Sequence, residues 1–316
     1  MVKRVLLAAP RGYCAGVERA IETVERALEL YGAPVYVRRQ IVHNAHVVRE
    51  LEERGAVFVE SETEAPIGAT LVLSAHGAAP SVYEEAAARR LNAIDATCPL
   101  VTKVHAEARR YAAEGCSIVL IGHAGHDEVE GTFGEAPEAI RVVGSAAEAE
   151  ALEVPDPGRV AYITQTTLSV DDTSEIVAVL KRRFPSLRGP QVDDICYATT
   201  NRQNAVKELA GEVDVLLVIG SSNSSNSNRL VEVARAAGIE AHLIDDETEI
   251  EERWLDGVET VGLTSGASAP ERLVRRVCEW FRARGVTEIR TIGPRLVEDV
   301  FFRLPVELRR AATSAA

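Results

Sequence analysis

Short apolar runs alternate along the chain with longer amphipathic stretches, the pattern of strands followed by helices. Residues 94–105, Ile-Asp-Ala-Thr-Cys-Pro-Leu-Val-Thr-Lys-Val-His, carry it most compactly. A short strand runs into Cys98, and Pro99 takes the first helical position, where its missing N–H costs nothing. Leu100, Val101, Val104, Ala108 and Tyr111 then recur at three- and four-residue steps until Gly115 ends the helix. The design occurs twice more. Residues 5–14 end in Cys14 before a helix with Val17, Ile21, Val24, Leu28 and Tyr31 on one face, and residues 192–196 end in Cys196 before a helical stretch closing near Gly211.

The segments between the cysteines repeat as well. Strands are expected at 34–42, 57–59 and 70–75 after Cys14, at 117–121, 140–143 and 160–163 after Cys98, and at 213–219, 241–244 and 260–263 after Cys196. Helices are expected at 47–54, 83–91, 176–184, 229–237 and 271–284. The first polar loop of each repeat follows its cysteine by 29 residues (Cys14 to His43), 28 (Cys98 to His126) and 28 (Cys196 to Ser224). The second follows by 62 (to His76), 68 (to Thr166) and 72 (to Ser268). Such alternation implies parallel sheets with helices on their faces, and ligands then bind beyond the carboxyl ends of the strands, where all these loops fall.

The expected fold is therefore α/β: three small units related by a pseudo-threefold, with parallel-type sheets around a central cavity. Their boundaries are 1–97, 98–195 and 196–285, with the C-terminal strand 288–292 and tail (286–316) completing the first unit's sheet. Within that tail, 297–308 is apolar enough to pack, and 311–316 is expected to be disordered.

Composition narrows the function. Hydrophobic residues make up 46% and charged residues 26% of 316, ordinary for a soluble globular protein. There is no apolar run of membrane-spanning length and no signal-peptide pattern, so a cytoplasmic location is expected. A net charge of −13 disfavours nucleic-acid and membrane partners, so an anionic substrate would be held locally, by helix N-termini and uncharged donors. Five cysteines, an odd number, argue for metal or catalytic use over a disulfide framework.

Cys14, Cys98 and Cys196 stand where the helix dipole favours thiolate, the metal-binding form. Cys116 begins a strand and Cys278 lies in an amphipathic helix, so both read as core. His105 and His242 also read as structural. His126 and Glu128 lie two apart in the Gly-rich loop 122–131; a zinc site and a solvated loop are both open readings, and its place in the repeat favours function. Residues 221–228, rich in Ser and Asn, are by composition a linker, yet they precede a helix and would make a neutral phosphate cradle. Thr166 and Thr167 either cap the next helix or offer a hydroxyl to the cavity. Three thiolates without a matching fourth fit an iron–sulfur cluster with one open iron better than a closed structural zinc.

The ordered motifs then point to a family. Pro-Arg-Gly-Tyr-Cys14-Ala-Gly-Val, Val42-His43-Asn, Ser-Ala-His76-Gly, Asp-Ala-Thr-Cys98-Pro-Leu-Val, Gly-His126-Asp-Glu128-Val-Glu-Gly, Thr-Gln-Thr166-Thr-Leu-Ser, Asp-Asp-Ile-Cys196-Tyr-Ala-Thr-Thr-Asn-Arg-Gln, Asn-Ser224-Ser-Asn226-Ser-Asn and Gly-Ala-Ser268-Ala-Pro resemble the hydroxymethylbutenyl diphosphate reductases, which act last in the non-mevalonate isoprenoid pathway. The resemblance covers nearly the whole chain. It implies an iron–sulfur oxidoreductase with one [4Fe–4S] cluster on Cys14, Cys98 and Cys196, whose open iron takes the substrate's hydroxyl oxygen. It also implies diphosphate binding by His43, His76, His126, Ser224, Ser225, Asn226 and Ser268, Thr166 near the hydroxyl, and Glu128 as proton source. Isopentenyl and dimethylallyl diphosphates would be the products, and a ferredoxin or flavodoxin the electron donor. Two positions depart from the pattern: Asp127 where Pro is usual, which would loosen the Glu128 loop, and Tyr13 where Phe is common. Two other readings are a zinc hydrolase of phosphorylated substrates, which would be colourless, and a non-enzymatic iron–sulfur sensor or carrier, which would not need phosphate-type loops.

Overall fold

The computed structural model describes residues 2–293 and 298–309. The first third of the chain forms β1 (Arg4–Ala8), α1 (Ala15–Tyr31), β2 (Val35–Arg38), α2 (Ala45–Glu53), β3 (Ala56–Val59), β4 (Thr70–Leu73), α3 (Pro80–Ala88) and β5 (Asn92–Asp95). Next come α4 (Pro99–Ala113), β6 (Ser117–Ile121), α5 (Asp127–Phe133), β7 (Ile140–Val143), α6 (Ala146–Ala151), β8 (Val160–Thr164) and α7 (Val170–Arg183). The rest forms α8 (Tyr197–Leu209), β9 (Val215–Ile219), α9 (Ser225–Ala236), β10 (Glu240–Ile244), β11 (Thr260–Ser265), α10 (Glu271–Ala283) and β12 (Glu288–Ile292). The strands are short and rich in Val, Ile and Leu, and β9 and β11 are buried along their whole length, as parallel strands covered on both faces must be.

The chain divides into two compact units. One, the five-stranded unit, contains the described residues of Met1–Ala15, His43–Val47 and Tyr197–Phe301. Its parallel sheet runs β10-β9-β11-β1-β12. Leu273, Val274, Val277 and Phe281 of α10 pack on one face, and α8 and α9 supply Ala205, Val206, Leu209, Leu230 and Val233 to the other.

The two-sheet unit contains the described residues of Gly16–Val42, Val48–Cys196 and Phe302–Ala316. Its sheets run β3-β2-β4-β5 and β7-β6-β8, again all parallel. Val82 and Ala86 of α3 cover the first of them. The second is sandwiched between Val104, Ala108 and Tyr111 of α4 on one side and Ile176 and Leu180 of α7 on the other.

Comparing the strand orders corrects the expected sheet membership. β12 does pair with β1, Val5 opposite Ile289, but β1 pairs on its other side with β11, Val5 opposite Val261, so both belong with the strands of the third repeat. The reason is the cysteine at the end of β1. β1 leads to Cys14 and lies beside β11 just as β5 leads to Cys98 and lies beside β4. Two of the three sheets thus include the strand that carries the next cysteine in cyclic order, β1 ahead of Cys14 and β5 ahead of Cys98.

The strand expected before Cys196 does not form. A single bridge, Arg188 with Ala161, marks its place beside β8. Gly189 and Pro190 end it: Pro lacks the ladder N–H, and a Cβ on Gly189 would stand 2.6 Å from the Tyr162 ring. In the tail Leu308 is buried while Phe301 is 79% exposed, so packing there is partial. Positions 294–297 and 310–316, including the expected disordered end 311–316, lie outside the described residues. No helix among the described residues is long and apolar enough to cross a membrane.

Candidate active site

In the two-sheet unit the polar residues singled out by the repeat meet at strand carboxyl ends. The loop after β6 is shorter than expected, because the chain turns into α5 at Asp127, with His126 as its N-cap. The His126 Nδ1 accepts the Glu128 N–H at 3.1 Å, which in the neutral ring puts the proton on Nε2 and makes that nitrogen a donor. The His76 and His126 rings lie edge to face with centroids 5.8 Å apart. Gly77 gives the His76 turn its sharpness: its φ is +81°, and the His105 ring would lie 3.0 Å from a Cβ there. His105 is itself held by Glu135 at 2.7 Å.

Glu128 is 3% exposed, and both of its carboxyl oxygens are bonded to one residue. The Thr166 N–H donates to Oε1 at 2.6 Å and the Thr166 hydroxyl to Oε2 at 3.0 Å. Burial pushes the Glu128 carboxyl up to about 7; the two Thr166 bonds act downward, and the charge of Asp194 adds a rise. The carboxyl is therefore poised to hold or release a proton near neutral pH. Asp127 does not loosen this turn. It forms an ion pair with Arg39, which also holds Glu130 at 2.5 Å, and its other oxygen lies 3.9 Å from the His76 Nδ1.

In the five-stranded unit, Ser224 is the N-cap of α9, and its Oγ accepts the Ser227 N–H at 3.3 Å. Ser225 and Asn226 thus stand on the first helical turn instead of in the expected loop, with the positive end of the helix dipole beneath them. The Ser224 and Ser268 hydroxyls are 3.5 Å apart, and Ser268 Oγ donates to the His43 carbonyl at 2.8 Å. Asn226 is a brace: its Oδ1 accepts the Ala267 N–H at 2.8 Å, and its Nδ2 donates to the Thr199 hydroxyl at 3.2 Å. Thr199 and Arg39 were not singled out by the sequence, which shows nothing local to mark a residue whose partner is 27 or 88 positions away.

The five cysteines form no disulfides with one another. Cys116 and Cys278 are buried in apolar clusters, and burial pushes the Cys278 thiol up, which suppresses thiolate. Cys14, Cys98 and Cys196 are half-buried at helix starts. Each backbone N–H there donates to a second-loop carbonyl of its own unit: Cys14 to Ala267 at 3.2 Å, Cys98 to Ala75 at 3.0 Å and Cys196 to Thr166 at 3.0 Å. Soft donors at three equivalent corners suit an iron–sulfur cluster, whereas the buried pair is shielded from one.

The fold is α/β, with cysteines, neutral hydrogen-bond donors and a buried carboxyl of raised pKa at the carboxyl ends of its parallel strands. The model of the family described as LytB protein matches residues 5–282. A curated relative from Acidothermus cellulolyticus, 4-hydroxy-3-methylbut-2-enyl diphosphate reductase, is 63% identical over 98% of this chain and 91% of its own length. The enzyme of the same name from Streptomyces avermitilis is 58% identical over the same shares of the two chains. The solved E-1-hydroxy-2-methyl-but-2-enyl-4-diphosphate reductase from Plasmodium falciparum superposes with a TM-score of 0.96 at 37% identity, covering 100% of this chain and 99% of that one. The chain belongs to the LytB family, the family of these reductases.

Proposed function

We propose that the chain reduces (E)-4-hydroxy-3-methylbut-2-enyl diphosphate to isopentenyl and dimethylallyl diphosphates, in the last step of the non-mevalonate pathway. Two electrons and two protons enter, the allylic C–O bond breaks, and water leaves. Cys14, Cys98 and Cys196 would hold a [4Fe–4S] cluster, which when bound supplies the electrons and an iron without a protein ligand. A ferredoxin or flavodoxin, in the cytoplasm, would be the donor.

The chain's own groups bind, orient and protonate. Ser224, Ser225, Asn226 and Ser268, with His43, His76 and His126, would hold the diphosphate as neutral donors. His126 is set up for this by the bond at its Nδ1, and Ser225 by its place on the first turn of α9. Thr166 would orient the hydroxyl end of the substrate. Glu128 would deliver the proton, passing it through or alongside the Thr166 hydroxyl that it already holds at 3.0 Å.

The observation that carries this reading is the buried Glu128 carboxyl locked on Thr166, with a pKa near 7, within a chain whose relatives are named as reductases. Its test is anaerobic purification with iron and sulfide counts and an assay with reduced viologen dye. Reduction of the allylic diphosphate to the two products is expected. Cys14→Ser, Cys98→Ser and Cys196→Ser should each lose iron, because a hard alcohol oxygen replaces a soft thiolate, while Cys116→Ser and Cys278→Ser should keep it. Full iron content in any of the first three would remove that residue from the ligand set. A colourless zinc protein would refute the whole reading.

A further inference from the structure

The helices that follow the three cysteines share a contact pattern with no part in the chemistry above. Five or six residues after each cysteine stands a cation, Arg19, Lys103 and Arg202, and each reaches the backbone just ahead of the next cysteine in cyclic order. In the two-sheet unit, Arg19 Nη1 donates to the carbonyls of Ala96 at 2.9 Å and Thr97 at 3.0 Å, and Nη2 to that of Asp95 at 3.4 Å, leading into Cys98. There too, Lys103 Nζ donates to the carbonyls of Val192 and Asp193, the second at 3.3 Å, and to Asp194 Oδ1 at 2.8 Å, leading into Cys196. In the five-stranded unit, Arg202 Nη2 donates to the carbonyls of Gly12 at 2.7 Å and Tyr13 at 3.3 Å, and Nε to that of Gly12 at 3.2 Å, leading into Cys14.

We propose that Arg19, Lys103 and Arg202 are positioning residues, each clasping the backbone ahead of one cysteine so that its thiolate is held in place for ligation. The proposal rests on the reading of these cysteines as cluster ligands. Carbonyls beyond the end of a strand have lost their ladder partners, and a multivalent cation can satisfy two or three at once with charge-assisted bonds. Nothing about a surface salt bridge would produce this relation three times. Arg202 is wholly buried, and the Asp194 side chain bound by Lys103 has no exposed surface.

The Cys196 corner leans on its clasp most, because no strand leads into it. Asp194 there bridges Lys103 and the Thr164 N–H, which donates to Oδ2 at 2.9 Å. Lys103 therefore links the start of α4, the end of β8 and the approach to Cys196.

The test is amide hydrogen exchange, read by mass spectrometry, on the anaerobically purified enzyme and its variants. Removing charge-assisted bonds by Lys103→Met should speed exchange in peptides spanning 190–198 by about tenfold, with those spanning 10–16 and 94–100 unchanged. Arg19→Met should speed 94–100 in the same selective way. Lys103→Arg, which keeps the charge and donors, should restore slow exchange, and chelator-driven iron loss should be several-fold faster in Lys103→Met and in Arg19→Met than in Lys103→Arg. Wild-type exchange at 190–198 in Lys103→Met, or equal loosening of all three corners, overturns the proposal. Iron and sulfide counts on the wild type judge the ligand reading separately: selective loosening in a protein without iron would keep the clasps and refute the ligands.

Discussion

At the scale of single residues the proposed chemistry concentrates at Glu128. Glutamine is nearly isosteric and keeps hydrogen-bonding capacity at the site of the Thr166 contacts, but it cannot give up a carboxylic proton. Glu128→Gln should therefore retain iron and bind substrate while turnover falls by about 10²–10⁴-fold, the usual contribution of general acid–base catalysis. Steady-state assays beside a binding measurement separate the two effects, and near-normal turnover would mean that the proton comes from elsewhere. The same carboxyl has a signature in stability. Its pKa is raised on folding from 4.5 to about 7, chiefly by burial, so the folded state binds more protons than the unfolded state between those values. Stability from this group is fully present below about 4.5 and is lost as pH rises through about 7, by about 3 kcal/mol at most. Denaturant unfolding of wild type and Glu128→Gln from pH 4.5 to 8 should show their difference changing by that order, the variant gaining relative to wild type at the alkaline end. Glu107, raised in the same sense by burial and by Asp194, leaves a common slope in both proteins, so the difference between them is the quantity to read.

At the scale of elements, the amino end of α9 meets two strand ends at minimal distance. A Cβ on Gly220, after β9, or on Gly266, after β11, would stand 2.1 Å from the Ser227 hydroxyl. Gly220→Ala should cost about 1–3 kcal/mol by overpacking and should weaken diphosphate binding by tilting the Ser224 to Asn226 turn. Ser227→Gly in the same chain should recover part of the binding, measured by calorimetry with inorganic diphosphate; no recovery would mean that the strain lies elsewhere. The sequence made much of this architecture legible, since β-branched runs, the Cys98-Pro99 corner and the helical apolar steps are all local signals. Three features were hidden, each for its own reason. The place of β1 beside β11 depends on pairing over 256 residues, which a periodic pattern cannot report. The starts of α5 and α9 lie inside segments whose Gly, Ser and Asn content reads as loop, because residues that favour N-caps also favour turns. The missing strand before Cys196 was masked by Val192 and Ile195, while Gly189 and Pro190, the decisive breakers, lie just upstream. Of the candidate site, the residues proposed to bind substrate stood out as motifs, whereas braces such as Thr199 and Arg39 show themselves only through their partners.

At the scale of the whole molecule, a protein of net charge −13 is proposed to take up a multiply charged anion. None of the six polar loops carries Lys or Arg, so the capture groups are hydroxyls, amides, imidazoles and the amino end of α9. Such donors act over a few ångströms, while the long-range field of the chain is repulsive toward the substrate. Salt should therefore help binding. Between 10 and 150 mM the screening length falls from about 30 Å to about 8 Å, which removes the distant repulsion and leaves the contact donors untouched. The association rate of inorganic diphosphate, followed by stopped flow, should rise by about two- to threefold over this range or stay level, where a basic funnel would make it fall steeply. Ser222→Lys, at an exposed position ahead of α9, should reverse the sign by adding local attraction that salt can screen. A steep fall in the unmodified protein would show that cations near the site, Arg39 foremost, govern capture, and that neutral donors serve only after the anion has arrived.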